Sequence, residues 1–397
     1  MGPKINSFND LENFLQPGVK PLILFSGGLD GSYLIKRMLN NKKVDSVVAL
    51  TIELGGDGDS KTAKETATSL GAESIVLDKT EIFAQECVIP ALMANARYLN
   101  QHPISASLSR PFLVKCAIDV AKKEGCNIIL HCATNAQNSM RRFNGAMREI
   151  GYNYTYGSPF SLSVISRADK VEYLKDSNIT RLADRKFSFD SNFWCREFES
   201  SSLDNVENMQ LPEDLFLWTK NDSTISKEKV SITFEHGVPV AIDSVGYSFV
   251  DLVKKLNYIV GKYKIGRYVS LEEIEGGIKF PEAREMPAAS ILLNASRYLE
   301  SAILDAESIR NKLYIEQIWV REAVEGRWYS LLRKAADQFI YAMSSNITGT
   351  IYYELSLGRV QLLSMKTNKK LYGVDRDHYE QDLLLQQKLR YRNISTD

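Results

Sequence analysis

Residues 21–39, PLILFSGGLDGSYLIKRML, place a short apolar run, a cluster of small and polar residues, and an apolar pattern at helical spacing end to end. PLILF reads as a strand buried on both faces, because its apolar residues do not alternate with polar ones. Leu34, Ile35, Met38 and Leu39 recur at the spacing of one helix face. Between them SGGLDGS (26–32) must turn strand into helix within a few residues, and small side chains there let several backbone N–H groups converge. The helix N-terminus adds its positive end. The expected product is an anion cradle at the carboxyl edge of a parallel sheet. Two common phosphate loops do not match: GxGxxG is absent, and no Lys follows the glycines as GxxxxGKS or GxxxxGKT requires. A decoy, GGDGDSKT (55–62), misses the second pattern only by Ser60. Its two aspartates would repel a triphosphate, so it reads as a loop with Ser60 capping the next helix.

The next 130 residues repeat the strand–helix grammar. SVVALTI (46–52), SIVLD (74–78) and NIILHCA (127–133) read as strands. SKTAKETATSLGA (60–72) and RPFLVKCAIDVAKKEG (110–125) read as helices that stop at glycines, the second with Pro near its first turn. This order predicts an α/β unit with a parallel sheet covered on both faces, over 1–165. From about 166 the pattern becomes α+β. SITFEHGVPVAID (231–243) and GTIYYELSLGRVQLLSM (349–365) read as hairpins, and 248–263 and 288–322 as helical. The chain thus divides into 1–165, 166–365 and a C-terminal helical arm, 366–397. Leu385 and Leu389 share a face of that arm, which would dock on another subunit or on its own domain.

Lys plus Arg and Asp plus Glu both number 49 in 397 residues, so the basic surplus of a nucleic-acid or membrane-surface binder is absent. Five cysteines, an odd count without a CxxC pair, indicate reduced thiols in a cytoplasmic protein. MGPKINSFNDLENF has no apolar leader core, and Asn6 stands where a myristoylation signal wants Ser or Thr. No apolar segment reaches membrane-spanning length.

SGGxDxS after the first strand resembles the pyrophosphate loop of ATP pyrophosphatases, and beyond it the chain resembles argininosuccinate synthase over nearly its whole length. SASLSRP (105–111) is similar to the family's TSLARP, and HCATNAQNSMRRF (131–143) to HGATGKGNDQVRF. FSFDSNFWCREFES (187–200), LPEDLFLWT (211–219), TFEHGVPVAI (233–242) and IGRYVSLEEIEGGIKFPEAREMPAA (265–289) resemble further family segments in the same order. The resemblance implies an adenine nucleotide α-hydrolase-like N-terminal domain, a synthetase domain and a homotetramer formed through the C-terminal arm. It implies a ligase using ATP and Mg²⁺, in which a ureido oxygen attacks the α-phosphate, pyrophosphate leaves, and an amine displaces AMP. Phe25, Ser26, Gly27, Gly28, Asp30, Gly31 and Ser32, with Thr51, Ile52 and Cys132, would hold ATP. Asp30 would orient the loop or a Mg²⁺, Ser32 would act on the leaving pyrophosphate, and Arg110 would lie beside the nucleotide. Ser107, Asn138, Arg142, Ser188 and Glu272 match substrate positions, Glu199 joins that set, and Thr134 matches a residue that grips aspartate. No dedicated metal ligands are expected, since Mg²⁺ usually binds through phosphates and one or two carboxylates.

Departures from the family pattern cluster at the organic substrates. His102 replaces a tyrosine over citrulline, and Ala106 its neighbouring threonine. Ser139 replaces the aspartate that holds the nucleophile's ammonium, behind Asn135, Ala136 and Gln137 in place of two glycines and a lysine. Glu197 replaces a small serine, Arg284 a tyrosine, and Cys132 and Cys195 replace glycines. The expectation is the same adenylating ligation with small-molecule substrates changed from citrulline and aspartate. The alternatives are a genuine argininosuccinate synthase, a sulfurtransferase using Cys132 or Cys195, and a non-catalytic nucleotide binder. Arg284 is expected either to pair with Glu197 or, like Glu197, to grip a new substrate group.

Overall fold

A computed structural model describes residues 2–58, 60–177, 188–199, 203–220, 225–274 and 276–394. The N-terminal part is α/β, as expected. Six parallel strands run in the order Lys4–Ile5, Thr155–Gly157, Ile128–Leu130, Pro21–Leu24, Val48–Glu53, Glu73–Asp78. Successive side chains serve opposite faces. Ile23, Ala49, Ile128 and Leu130 pack with Tyr33, Leu34 and Met38 of helix Leu29–Leu39 on one side. Leu22, Val48, Leu50 and Ile129 pack against helices Ala106–Glu124 and Ser139–Ile150 on the other. The runs lack alternation because both faces are buried. The chain steps from Pro21–Leu24 to one neighbour and later returns to its other side at Ile128–Leu130. A crevice at that reversal is where open α/β sheets bind ligands, and SGGLDGS and HCATNAQNS follow those two strands.

Two helices differ from the sequence reading. The helix expected from 110 begins at Ala106, with Pro111 inside it. The first turn therefore carries Ala106 and Ser107. The helical stretch expected over 288–322 is two helices, Pro287–Ile303 and Ala306–Val324, because Asp305 caps the second by accepting from Ser308 N–H at 2.8 Å.

The remainder is α+β. Four antiparallel strands run in the order Arg267–Glu273, Lys279–Glu285, Cys195–Glu199, Ser188–Asn192. A second antiparallel sheet contains both expected hairpins, Glu228–Glu235 with Val238–Ile242 and Gly349–Ser356 with Arg359–Lys366. At the first turn His236 and Gly237 have φ of 51° and 80°, the pair of left-handed residues that a two-residue hairpin needs. The largest apolar core joins Phe83, Leu92, Leu108 and Phe112 to Trp194, Leu256, Leu292, Trp319 and Tyr353. It thereby joins the helix that carries Ser107 to both antiparallel sheets. The terminal helix Arg376–Ile394 leaves this body, and Leu383, Leu384 and Leu385 are exposed. No helix among the described residues is long and apolar enough to cross a membrane.

Candidate active site

The glycine loop is stitched to its neighbour strand before it turns. Phe25 N–H donates to the Leu50 carbonyl at 2.8 Å, and Thr51 Oγ1 donates to the Phe25 carbonyl at 2.9 Å. Gly27 has φ of 79°, a conformation L side chains rarely adopt. Gly28 caps helix Leu29–Leu39 without any side-chain bond. The helix's first N–H groups thus have no side-chain cap, and a Gly28 side chain would meet only Ser26 Oγ, at 3.7 Å. Gly31 serves packing instead: a Cβ there would stand 2.6 Å from the Phe25 ring. Asp30 pairs with Lys170 of helix Arg167–Tyr173 at 2.7 Å. Ser32 lies on the same helix turn as Asp30. It is fully buried and its hydroxyl donates to the Gly28 carbonyl at 2.9 Å. Burial, and then Asp30, raise the Cys132 thiol well above its ordinary range, so the thiol is protonated at neutral pH. Ile52 is half-buried at the end of the adjacent strand. The decoy loop is occupied by protein: Asp57 N–H donates to Ser191 Oγ at 3.1 Å and its carboxylate pairs with Arg196 at 2.8 Å. Ser60 opens the following helix but bonds Glu53, not the helix's own N–H groups.

Facing the crevice is one surface of the four-stranded sheet. Strand periodicity of two selects its members. The register pairs Glu197 with both Arg284 and Asp190, Glu199 with Glu282, and Ser270 with Glu282. Glu197, Glu199, Asp190, Ser270, Glu272, Glu282 and Arg284 therefore share one face. Ser188 pairs with Glu199 in the backbone ladder, and its side chain lies outside what is described. On this face Arg284 binds Glu197 at 2.7 Å, Glu272 at 3.3 Å, Ser270 Oγ at 3.1 Å, and Glu282. Arg142, from helix Ser139–Ile150, binds Glu272 and donates Nε to the Val324 carbonyl at 3.2 Å. Both arginines are buried, as are Glu197 and Glu272.

His102, Ser107, Arg142, Glu197, Glu272 and Arg284, six of the expected substrate residues, line one small cavity together with Ile104, Ser105 and Ala106. Arg110 lies beside it, donating to Ser139 Oγ at 3.1 Å and pairing with Asp190 at 2.9 Å. Asn138 Nδ2 donates to the Glu273 carbonyl at 3.0 Å, tying the helix start to the sheet. Thr134 N–H donates to Gln137 Oε1 at 3.3 Å, so Gln137 folds back over the loop. The Glu199 carboxylate rises through burial and then through Glu197. Sequence reasoning missed Lys170, Asp190, Ser270 and Glu282. Period-two alternation in SFDSN, RYVSLEE and KFPEARE was the available signal for the last three.

The electrostatics follow from burial. Desolvation would weaken the Arg284 charge, yet Glu197, Glu282 and Glu272 raise its pKa far above the ordinary value. Desolvation likewise opposes the ionised forms of Glu197 and Glu272, but Arg284 for the first, and Arg142 with Arg284 for the second, keep both below the usual carboxylate range. Glu282 goes the other way: burial and the neighbouring Glu272 and Glu197 carboxylates lift it well above that range, against Arg284. It is the protonated member. Oxygens of these three carboxylates lie within 4.8 Å of one another, and the cation among them is the Arg284 guanidinium. Burial, and then Arg284, pull His102 down to about 3.

Fold and loop together define a nucleotide-binding α/β protein of the pyrophosphate-loop class. Residues 20–180 match the family model described as the arginosuccinate synthase N-terminal HUP domain, and 187–392 the C-terminal domain of the same family. Argininosuccinate synthase of Picrophilus torridus is 33% identical over 363 residues, 91% of each chain. That of Pyrococcus furiosus is 33% identical over 371 residues, 93% of this chain and 90% of the relative. That of Methanocaldococcus jannaschii is 30% identical over 372 residues, 93% of both. The chain belongs to the argininosuccinate synthase family, whose members are ATP-dependent ligases that form a C–N bond and release AMP and pyrophosphate.

Two outcomes test this electrostatic picture. Arg284→Gln leaves buried carboxylates uncompensated and is expected to cost about 3–5 kcal/mol in urea unfolding, whereas E197Q/R284Q costs less than that single change. Equal losses would mean that the pair is not coupled. For His102, the folded pKa lies below the ordinary ~6.5, so the unfolded chain binds the extra proton between pH ~6.5 and about 3 and stability falls as pH drops through that window. His102→Asn is expected to recover roughly 2 kcal/mol of the stability otherwise lost between pH 7 and pH 5. An unchanged pH slope would contradict a buried neutral imidazole.

Proposed function

We propose that this protein is an AMP-forming carbon–nitrogen ligase whose acceptor and nucleophile differ from citrulline and aspartate. The observation that carries this reading is the Arg284–Glu197 pair, 2.7 Å apart, standing where the family pattern has a tyrosine and a small serine. Ser139 supports the same reading at the nucleophile end. In place of a carboxylate for an ammonium it offers a hydroxyl already engaged by Arg110 at 3.1 Å.

The loop suits a nucleotide. The side-chain-free Gly28 and the uncapped helix start are an anion site of the kind that receives pyrophosphate. Backbone groups of residues 26–30 would hold the phosphates, Lys170 would balance Asp30 beside them, and Mg²⁺ would ride on the phosphate oxygens. ATP supplies the α-phosphorus and the pyrophosphate leaving group. An acceptor carbonyl oxygen forms the bond to that phosphorus as the bond to pyrophosphate breaks. An amine nitrogen then bonds the acceptor carbon, loses a proton, and AMP departs with the acceptor's oxygen. Positioning and charge neutralisation dominate such chemistry, and half-buried Arg110 is the cation placed to serve it.

Two further features belong to this reading. The exposed leucines of the terminal helix support assembly of copies through the 366–397 arm, into a homotetramer, beyond the 1–165 and 166–365 domains. The five free thiols support a cytoplasmic setting. Argininosuccinate synthesis itself is the second reading, favoured by the names of the relatives and by their identity over nine-tenths of the chain. Sulfur transfer gains no support, because burial raises both the Cys132 and Cys195 thiols and a thiolate is the reactive form.

Incubation of the purified protein with citrulline, aspartate and ATP, read by mass spectrometry, is expected to yield no argininosuccinate. Argininosuccinate formed in step with AMP would overturn the altered-substrate reading and leave the second one standing.

A further inference from the structure

Resting on the phosphate-loop reading above, we infer that Lys170 is a positioning residue for ATP. It takes up the Asp30 carboxylate, so that the start of helix Leu29–Leu39 remains receptive to an anion. The need arises in the sequence. SGGLDGS puts a carboxylate into the first turn of that helix, just after its Gly28 cap. An acidic side chain there is drawn to the helix's positive end. Left alone, it would compete for the backbone N–H groups that a phosphate needs, and its charge would repel the phosphate.

Lys170 answers that charge from a deeper position. Its Nζ stands 2.7 Å from Asp30 Oδ1, with its side chain 12% exposed against 40% for the carboxylate. The ammonium also lies 5.1 Å from the centroid of the Phe160 ring, within the range of cation–π attraction. Phe160 is buried and meets Phe8 edge-on, with ring centroids 5.2 Å apart. A carboxylate and an anchored ring together hold the ammonium in place.

The helix that carries Lys170 is fastened to the loop's own helix. Helix Arg167–Tyr173 starts at Ser166, whose hydroxyl accepts from Asp169 N–H at 3.1 Å. Lys170 and Tyr173 are three residues apart on it and share a face. The Tyr173 ring lies 4.9 Å from that of Tyr33, and its hydroxyl accepts from Asn40 Nδ2 at 2.9 Å. One face of a short helix thus engages helix Leu29–Leu39 at its first turn through Asp30 and at its C-cap through Asn40. A pair as open to solvent as Asp30 and Lys170 adds little stability. What it alters is the charge that an arriving phosphate meets.

ATP binding by the full-length protein, measured by titration calorimetry with and without Mg²⁺, tests this. Lys170→Met keeps an unbranched apolar stem over Phe160 and removes the charge. It is expected to weaken Mg²⁺-free ATP binding by about tenfold or more, the scale of one charge interaction near a protein surface. The loss is expected to shrink when Mg²⁺ is present, because a divalent cation offsets the same carboxylate. With the carboxylate gone, D30N/K170M is expected to bind ATP as D30N does. Unchanged ATP affinity in K170M would overturn the inference. So would a loss that is as large on the D30N background, or that ignores Mg²⁺, since either would mean that Lys170 acts by packing or on the phosphates themselves. In all these cases the loop reading stands as long as the unsubstituted protein binds ATP. No ATP binding by that protein, with or without Mg²⁺, would overturn the loop reading and this inference with it. If K170M does not fold, D30N decides: freed of its carboxylate, Lys170 should leave Mg²⁺-free ATP bound at least as tightly as before, and weaker binding would contradict the inference.

Discussion

A guanidinium 2% exposed to solvent is the constraint on which the cavity-lining face of the four-stranded sheet depends. A buried charge is tolerable only when paired and hydrogen-bonded, and Arg284 meets that condition through the Glu197 and Glu272 carboxylates, the Glu282 carboxyl and a serine. Those partners come from three strands of one sheet, so the charge can be satisfied only in one register. The opposite face repeats the device: Arg196 pairs with Glu285, whose carboxylate also accepts from Thr219 N–H and Oγ1, each at 2.7 Å. A sheet with an ion network on both faces has little freedom to breathe. The cavity on the first face is accordingly set by the sheet.

The glycine loop obeys other physics. Under the proposed function its recognition groups are backbone N–H groups at a helix start, and the side chains near them serve packing or pairing. Gly31 makes room for Phe25, Thr51 ties down the Phe25 carbonyl, and Lys170 neutralises Asp30. A site made of backbone tolerates divergence around it. A site made of paired charges does not, because changing one partner strands the other. That contrast explains how SGGLDGS stays recognisable in a chain only about one-third identical to its relatives, with the altered charges gathered at positions 139, 197 and 284.

Much of the architecture was legible from local pattern. Unalternating apolar runs gave the parallel strands, glycines ended helix Ser60–Leu70 and helix Ala106–Glu124, and His236–Gly237 marked a hairpin. Helix boundaries were less legible. Pro111 looked like a start signal, but the chain absorbs it inside helix Ala106–Glu124, and Asp305 broke a stretch whose apolar period ran straight through. The substrate segments were found by motif, and six of their residues do line one cavity. What no motif could supply was the pairing. Glu197 and Arg284 are 87 residues apart in sequence, and only strand register sets them face to face. Glu282 and Asp190 went unnoticed for the same reason, since an alternating acidic residue in a strand reads as a solvated edge until a partner strand covers it.

Transfer of oxygen from acceptor to nucleotide is the most direct measure of the central claim, because attack by the acceptor's carbonyl oxygen on the α-phosphate leaves that atom in AMP. With an acceptor that supports AMP formation, labelled with oxygen-18 at its carbonyl, together with ATP and an amine, mass spectrometry should find one labelled oxygen in AMP and none in pyrophosphate. Unlabelled AMP, or label appearing in pyrophosphate, would contradict adenylation of an acceptor carbonyl oxygen.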